Sequence, residues 1–293
     1  MKKGMLLIFG GVMCLFLSSC EKAFVENGEE ESTEGKRIVL HLDMYDQLSF
    51  DDAYSTRAIT TMDKVCTRIN MAVFQEDTKV KTINQTIDND NFGKLSFVLP
   101  QGEYEVVIIA HSGNGAATIT SEKVTFPNNK VTDTFYTYLR LKVEESAEYT
   151  IQLKRAVAMF RLNVEDVIPD QVKQMKFYYT GGSSTFNAKT GYGCVNSKQT
   201  ELRDVNEIVR STDPACFEVY TFPHAESGEL KMTVSALNAS NEIIVEKVFE
   251  KVPVTINQIT QYAGHFFSSS PDDGTIEFVL HTDSSWQQIE RNY

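Results

Sequence analysis

From Ile38 onward the chain alternates between apolar and polar residues. Ile38, Leu40, Leu42 and Met44 are separated by polar positions, and so are Ile69, Met71 and Val73, then Leu95, Phe97 and Leu99, then Tyr104, Val106, Ile108 and Ala110. A period of two sends alternate side chains to opposite faces of a sheet, so each run predicts a strand with one buried face. Turn-forming clusters separate the runs: Asn89-Asp90-Asn91, Pro100-Gln101-Gly102, Gly113-Asn114-Gly115 and Pro127-Asn128-Asn129. A second set begins near residue 148 with Tyr149, Ile151 and Leu153. Ala156 to Val164 then reads as a long strand, apolar on both faces through Val157 and Met159, which predicts a central strand covered on both sides. Phe177 to Thr180, Phe217 to Phe222, Leu230 to Leu237, Ile243 to Phe249 and Ile276 to Leu280 complete the set. Many short strands without a sustained helical period predict an all-β chain of β-sandwich construction. The pattern is weakest between Glu144 and Ser146, which predicts an N-terminal sandwich over residues 37–146 and a C-terminal one over 147–293. Near the end, Trp286, Ile289 and Tyr293 have the spacing of one face of a helical turn. No repeat of 20 to 50 residues is present, which excludes a solenoid or propeller.

The first 36 residues follow other rules. Lys2 and Lys3 precede an apolar run from Met5 to Leu17 that is short and glycine-rich for a membrane span, and Ser18 and Ser19 are small enough for a signal peptidase. Leu17-Ser18-Ser19-Cys20 resembles the lipobox of a bacterial lipoprotein. The resemblance implies a leader over residues 1–19 and a mature chain that starts at Cys20, with a diacylglycerol on its sulfur and an acyl chain on its nitrogen. Each buried methylene contributes roughly 0.8 kcal/mol, and two or more chains make attachment nearly permanent. The alternative is a secreted protein with an ordinary cysteine at the cut. Residues 20–36 are crowded with Glu21, Glu26, Glu29, Glu30, Glu31 and Glu34, a composition that predicts a disordered tether reaching on the order of 20 Å. This acidic stretch also resembles, loosely, the export signals of surface lipoproteins in the Bacteroidales, and a plain solvated linker accounts for it equally well.

Composition narrows the classes of partner. The chain has 28 Lys and Arg against 40 Asp and Glu, a formal charge of −12 that falls by two more when Lys2 and Lys3 leave with the leader. Such a chain is a poor partner for nucleic acid and for anionic lipid surfaces, so the lipid alone holds it. Cys66, Cys194 and Cys216 remain after Cys20 is used, without the short spacings of a zinc site. They read as small buried hydrophobes, with one bridge open to them in an oxidising compartment. Ser112-Gly113-Asn114-Gly115 lacks the spacing of a phosphate cradle and reads as a hairpin loop. The histidines, His41, His111, His224, His265 and His281, have no zinc-binding spacing. Asp51-Asp52, Asp88 with Asp90, and Asp272-Asp273 sit beside turn residues and read as turn caps. No cofactor and no catalysis are expected, although scattered carboxylates leave an enzyme as the third reading.

An ordered set of stretches resembles the anchor-subunit family of the Bacteroidales type V fimbriae, fimbrillin-type lipoproteins that fix a pilus to the cell. These are Ile69 to Phe74; Leu99-Pro100-Gln101-Gly102-Glu103-Tyr104 running into Ile109 to Gly115; Thr132 to Phe135; Tyr179 to Phe186 with Thr190-Gly191-Tyr192-Gly193; Thr260 to Phe267; and Asp283 before Trp286. The resemblance implies two tandem transthyretin-like (immunoglobulin-like) β-sandwich domains, an outer-membrane lipid anchor at Cys20, and a fimbrial stalk subunit, a fimbrillin, as the partner. It further implies a joint made by β-strand exchange and a role in limiting fimbrial length. Arg57, in the polar stretch Ser55-Thr56-Arg57-Ala58, is a candidate processing site because stalk and tip subunits of the family are trimmed at such an arginine. An anchor has to stay uncut there, so an ordinary loop arginine agrees with the anchor reading, and a mature start at Ala58 would mark a stalk or tip subunit. The runner-up from another class is a glycan-binding surface lipoprotein, although Trp286 is the only tryptophan and the tyrosines fall mostly on strand patterns.

Overall fold

In a computed structural model of the chain, the described residues are 35–44, 62–268 and, by backbone alone, 279–283. The strands of the first part are β1 (Lys36–Met44), β2 (Arg68–Gln75), β3 (Thr78–Thr86), β4 (Lys94–Leu99), β5 (Gly102–His111), β6 (Thr118–Ile119), β7 (Lys123–Thr125), β8 (Thr134–Val143) and β9 (Ala147–Arg155). Those of the second are β10 (Ala158–Val164), β11 (Gln174–Thr180), β12 (Phe186–Asn187), β13 (Gln199–Asp204), β14 (Ala215–Thr221), β15 (Ser227–Leu237), β16 (Ile243–Thr255), β17 (Ile259–Gly264) and β18 (Val279–Asp283). Two short helices, α1 (Met62–Val65) and α2 (Glu207–Ser211), are the only α-helical elements among the described residues, so the molecule is mostly β.

Seven strands form one sheet in the order β3-β2-β5-β8-β9-β1-β4, which curls until it is nearly a barrel. Its two ends meet through Gln85 on β3. The Gln85 amide donates to the carbonyls of Asn91 (3.1 Å) and Lys94 (2.9 Å) and accepts from the Gly93 N–H (3.1 Å). The opposite corner is narrow: β8 and β9 pair only at Phe135 with Arg155 and Tyr136 with Lys154. Ile38, Leu40, Ile69, Met71, Leu95, Ile108 and Phe135 fill the interior.

The second part is a pair of four-stranded sheets, β13-β11-β15-β16 and β14-β10-β17-β18. Their core holds Phe160, Phe177, Tyr179, Phe217 and Phe249. One open side is closed by Arg203, whose Nε and Nη2 donate to the Glu218 carbonyl on β14 at 3.1 and 2.9 Å while Nη1 pairs with Glu201 at 2.8 Å. These bonds tie β13 of one sheet to β14 of the other through a backbone acceptor.

Several expectations change here. The second set of strands does not begin near residue 148. Strand β9, which carries Tyr149, Ile151 and Leu153, pairs with β1 and β8 in the first sheet, and the chain crosses over at Ala156 and Val157. Alternation marks a strand but not its partner. Strand β10 is central, between β14 and β17, yet its outer face is covered only around Met159, while Arg161 and Asn163 remain partly exposed. The loop after β5 is not a hairpin, because β6 pairs with β7. Cys66, Cys194 and Cys216 are free thiols; only Cys66 is buried, and burial pushes its pKa far up.

Candidate functional site: the first strand and the joint

Two features of the body stand out: its first strand, and the contact that couples its two parts. The lipidation candidate Cys20, the expected tether as far as Glu34, and Arg57 lie outside the described residues, as do Asp51, Asp52, Asp272, Asp273 and the Trp286 turn, while Lys36, expected to end the tether, is already the first residue of β1.

Strand β1 begins at Lys36 and lies inside its sheet. It runs antiparallel to β4 from Lys36 to His41 and parallel to β9 from Ile38 to Met44. Ile38 and Leu40 are fully buried, and Val39 nearly so. The alternation read in the sequence is real, and the Val39 side is covered as well.

The joint is a third apolar core, built where a segment of the second part lies on the outer face of the first sheet. Strand β5 buries both faces: Val106, Ile108 and Ala110 point into the near-barrel, and Val107 and Ile109 point into the joint. Phe74, Phe126, Tyr136, Phe186 and Phe222 meet there. The Phe126 ring stacks on Phe222 at 5.6 Å and 16°, and Phe186 lies 4.7 Å from Phe222 and 5.6 Å from Tyr136. Aromatic rings contribute large buried areas and favour such offset and tilted contacts. Main-chain bonds reinforce the contact. Strand β12 pairs with β7, Phe186 opposite Val124 and Asn187 opposite Lys123, and the Ala188 N–H donates to the Glu122 carbonyl at 2.9 Å.

The glycine-rich stretch Gly181 to Gly193 shapes this segment. Gly191 has φ +78° and lies against the Tyr136 ring, where a Cβ would fall on the ring itself. The Tyr136 hydroxyl donates to the Thr190 carbonyl at 2.5 Å, and burial pushes its pKa up to about 12. Gly193 approaches the backbone so closely that a Cβ would sit 2.5 Å from the Phe222 carbonyl oxygen. Only glycine permits these approaches.

Polar side chains complete the joint. Arg155, at the end of β9, donates through Nε and Nη2 to the Asp133 carboxylate at 2.8 and 3.0 Å and through Nη1 to Asn257 at 2.6 Å, with its guanidinium 4.6 Å from the Phe135 ring centre. It ties the first sheet to the turn between β16 and β17. The buried His111 accepts at Nδ1 from the Gly113 N–H (3.0 Å), which leaves Nε2–H to donate to Asn70 Oδ1 at 2.9 Å. Burial, with a smaller push from Arg68, moves the His111 pKa down to about 4. Lys189 reaches across to Glu105 at 2.8 Å; hydrogen bonds from Lys189 and then Tyr138 hold the Glu105 carboxyl below its ordinary range. A cleft of about 620 Å³ opens beside this pair, with Glu76, Asp77 and Glu103 facing Arg140 and Lys142. Charges of both signs alternate around it. Among the described residues no three His, Cys, Asp or Glu side chains come together to hold a metal ion.

Four of the stretches that carried the sequence resemblance supply residues of these contacts. Ile69 to Phe74 is β2, Ile109 to Gly115 carries His111, Thr132 to Phe135 carries Asp133, and Tyr179 to Gly193 is the inserted segment. Thr260 to Phe267 contains a further device: Asp166 accepts from the N–H groups of Phe266, Phe267 and Ser268 at 2.8, 2.7 and 2.6 Å. Burial works against its charge, but these bonds hold its pKa below the ordinary value. Asp166, Arg155 and Tyr136 carry no signal in the sequence, and Asn70 and Phe222 stand there only as members of a motif and a strand, because each acts through a distant partner.

The model of the family of fimbrillin-A associated anchor proteins Mfa1 and Mfa2 matches residues 45–291. The chain belongs to this family. The anchor family is structural rather than catalytic, and its members are cell-surface proteins of fimbriae. Two solved structures agree in fold, and a third is aligned over a similar share of the chain. A candidate adhesin from Bacteroides ovatus aligns with TM-score 0.53 and 10% identity over 86% of this chain and 96% of its own. A candidate polysaccharide-binding protein from Bacteroides thetaiotaomicron aligns with TM-score 0.51 and 12% identity over 86% of this chain and 100% of its own. The fimbrial anchor protein Mfa2 from Porphyromonas gingivalis aligns with TM-score 0.46 and 10% identity over 85% of this chain and 97% of its own. No curated protein matches the chain.

Proposed function

We propose that this member of the anchor family is the membrane end of a fimbria: lipid on Cys20 holds the outer membrane, the stretch from Cys20 up to the start of β1 at Lys36 spans the gap, and the body grips the first fimbrillin of the stalk. The observation that carries this reading is the place of β1. The strand nearest the proposed tether is locked in the middle of a sheet, paired on both sides, which suits a point where force enters the body. The joint couples the two parts so that force entering at β1 reaches the far sheets. The grip on the stalk is proposed as strand exchange, in which backbone bonds supply strength and alternate side chains supply register. Arg57 is proposed to be an ordinary arginine, and the mature chain to start at Cys20. A role in limiting fimbrial length follows if the anchor ends assembly.

Deleting the gene tests the reading. Fimbriae shed into the medium and of uncontrolled length are expected; normal, cell-bound fimbriae in the deletion strain contradict it.

A further inference from the structure

Strand β1 makes no pair with β2, the next described strand along the chain. Strand β2 pairs with β3 and β5, on the other side of the near-barrel. Strand β1 is held instead by six registered pairs to β4 and seven to β9. Hydrolysing one peptide bond between β1 and β2 consumes a water, leaves a carboxylate and an amine, and breaks none of these described rungs.

We propose that β1 is a self-sufficient clamp: a chain severed between β1 and β2 stays joined through β1, so the body remains attached to whatever holds residues 1–35. The geometry supplies two reasons. First, a pull from the preceding chain enters at Lys36, the first paired residue, and acts on the ladders through its component along the strand. Both ladders are then loaded in shear, and their rungs share the force instead of opening one after another. Second, Ile38, Val39 and Leu40 are all buried and lie in the middle of the paired region, so they have to leave together. Strand β18, by contrast, pairs with β17 alone among the described residues.

The membrane consequence rests on the proposed lipid at Cys20; the clamp rests on β1 alone. One outcome is that an N-terminus at Ala58 does not by itself identify a released subunit. A cut anchor would show the same N-terminus while its Cys20–Arg57 piece stayed docked and lipidated.

The test uses the full chain in the outer membrane with a sequence-specific protease site inserted after Asp52. Once cleavage is complete on a denaturing gel, the body is expected in the membrane pellet through buffer washes and in the supernatant only after concentrated urea. Release of the body into buffer as fast as the bond is cut overturns the proposal. A parallel chain with an affinity tag in place of residues 1–19 separates the two readings. If the uncut lipidated form is itself not on the membrane, the Cys20 reading fails, and co-elution of the cut pieces from the tag still decides the clamp. Leu40→Ala, which leaves a cavity under β1, is expected to speed release of the cut body by about tenfold or more; an unchanged rate contradicts the clamp.

Discussion

His111 shows how much a single side chain contributes at the joint. Its neutral imidazole joins Asn70 to Gly113 and packs edge-on against Phe126 at 5.1 Å and 79°. Because burial lowers its pKa from 6.5 to about 4, the unfolded chain takes up a proton between those values and the folded chain does not. Stability therefore falls as pH drops through that window, by about 2 kcal/mol between pH 7 and pH 5 from this group. Urea denaturation at the two pH values checks this, and the pH-dependent difference should shrink in His111→Gln. Gly191 is the second sensitive position. Gly191→Ala places a methyl on the Tyr136 ring at φ +78° and is expected to cost about 2 kcal/mol or more, read from the urea midpoint. The sequence flagged Gly191 and His111 as members of motifs. It could not reveal their work, because Tyr136 and Asn70 lie far away along the chain.

At the scale of elements, legibility followed burial. A strand with one wet and one dry face, such as β4, is read directly from alternation, whereas β11 is expected only over its second half, Phe177 to Thr180. Strand β3 was missed because it is an edge strand, exposed along most of its length, so its sequence TKVKTINQT has no apolar rhythm. Strands β6, β7 and β12 are two or three residues long and too short to carry a period. The continuous apolar run of β5 was read as one face, whereas Val107 and Ile109 belong to a second core. The segment after β17 is a separate element-scale test. Asp166→Asn removes the charge that holds three consecutive N–H groups, so amide exchange at Phe266, Phe267 and Ser268 should accelerate by about tenfold. Unchanged exchange there would show that the neighbouring packing, not the carboxylate, fixes this segment.

The near-barrel and the second pair of sheets behave as one body if the joint is as strong as its packing implies. Phe186 is fully buried among Phe126, Tyr136 and Phe222. Phe186→Ala leaves a cavity there and is expected to cost about 3–5 kcal/mol. Calorimetry should then resolve two melting transitions in place of one, since the near-barrel and the second pair of sheets each keep their own core. Family membership and the β architecture agree with the sequence reading, and the joint brings together residues from four of the scattered motifs. The account as a whole turns on attachment, and one measurement addresses it most directly. In cells carrying Cys20→Ala, the stalk fimbrillin is quantified in cell-bound and medium fractions. The account predicts that the stalk and this protein move together into the medium. A stalk that stays on the cells as in the unmodified strain, with the substituted protein still beneath it, contradicts it.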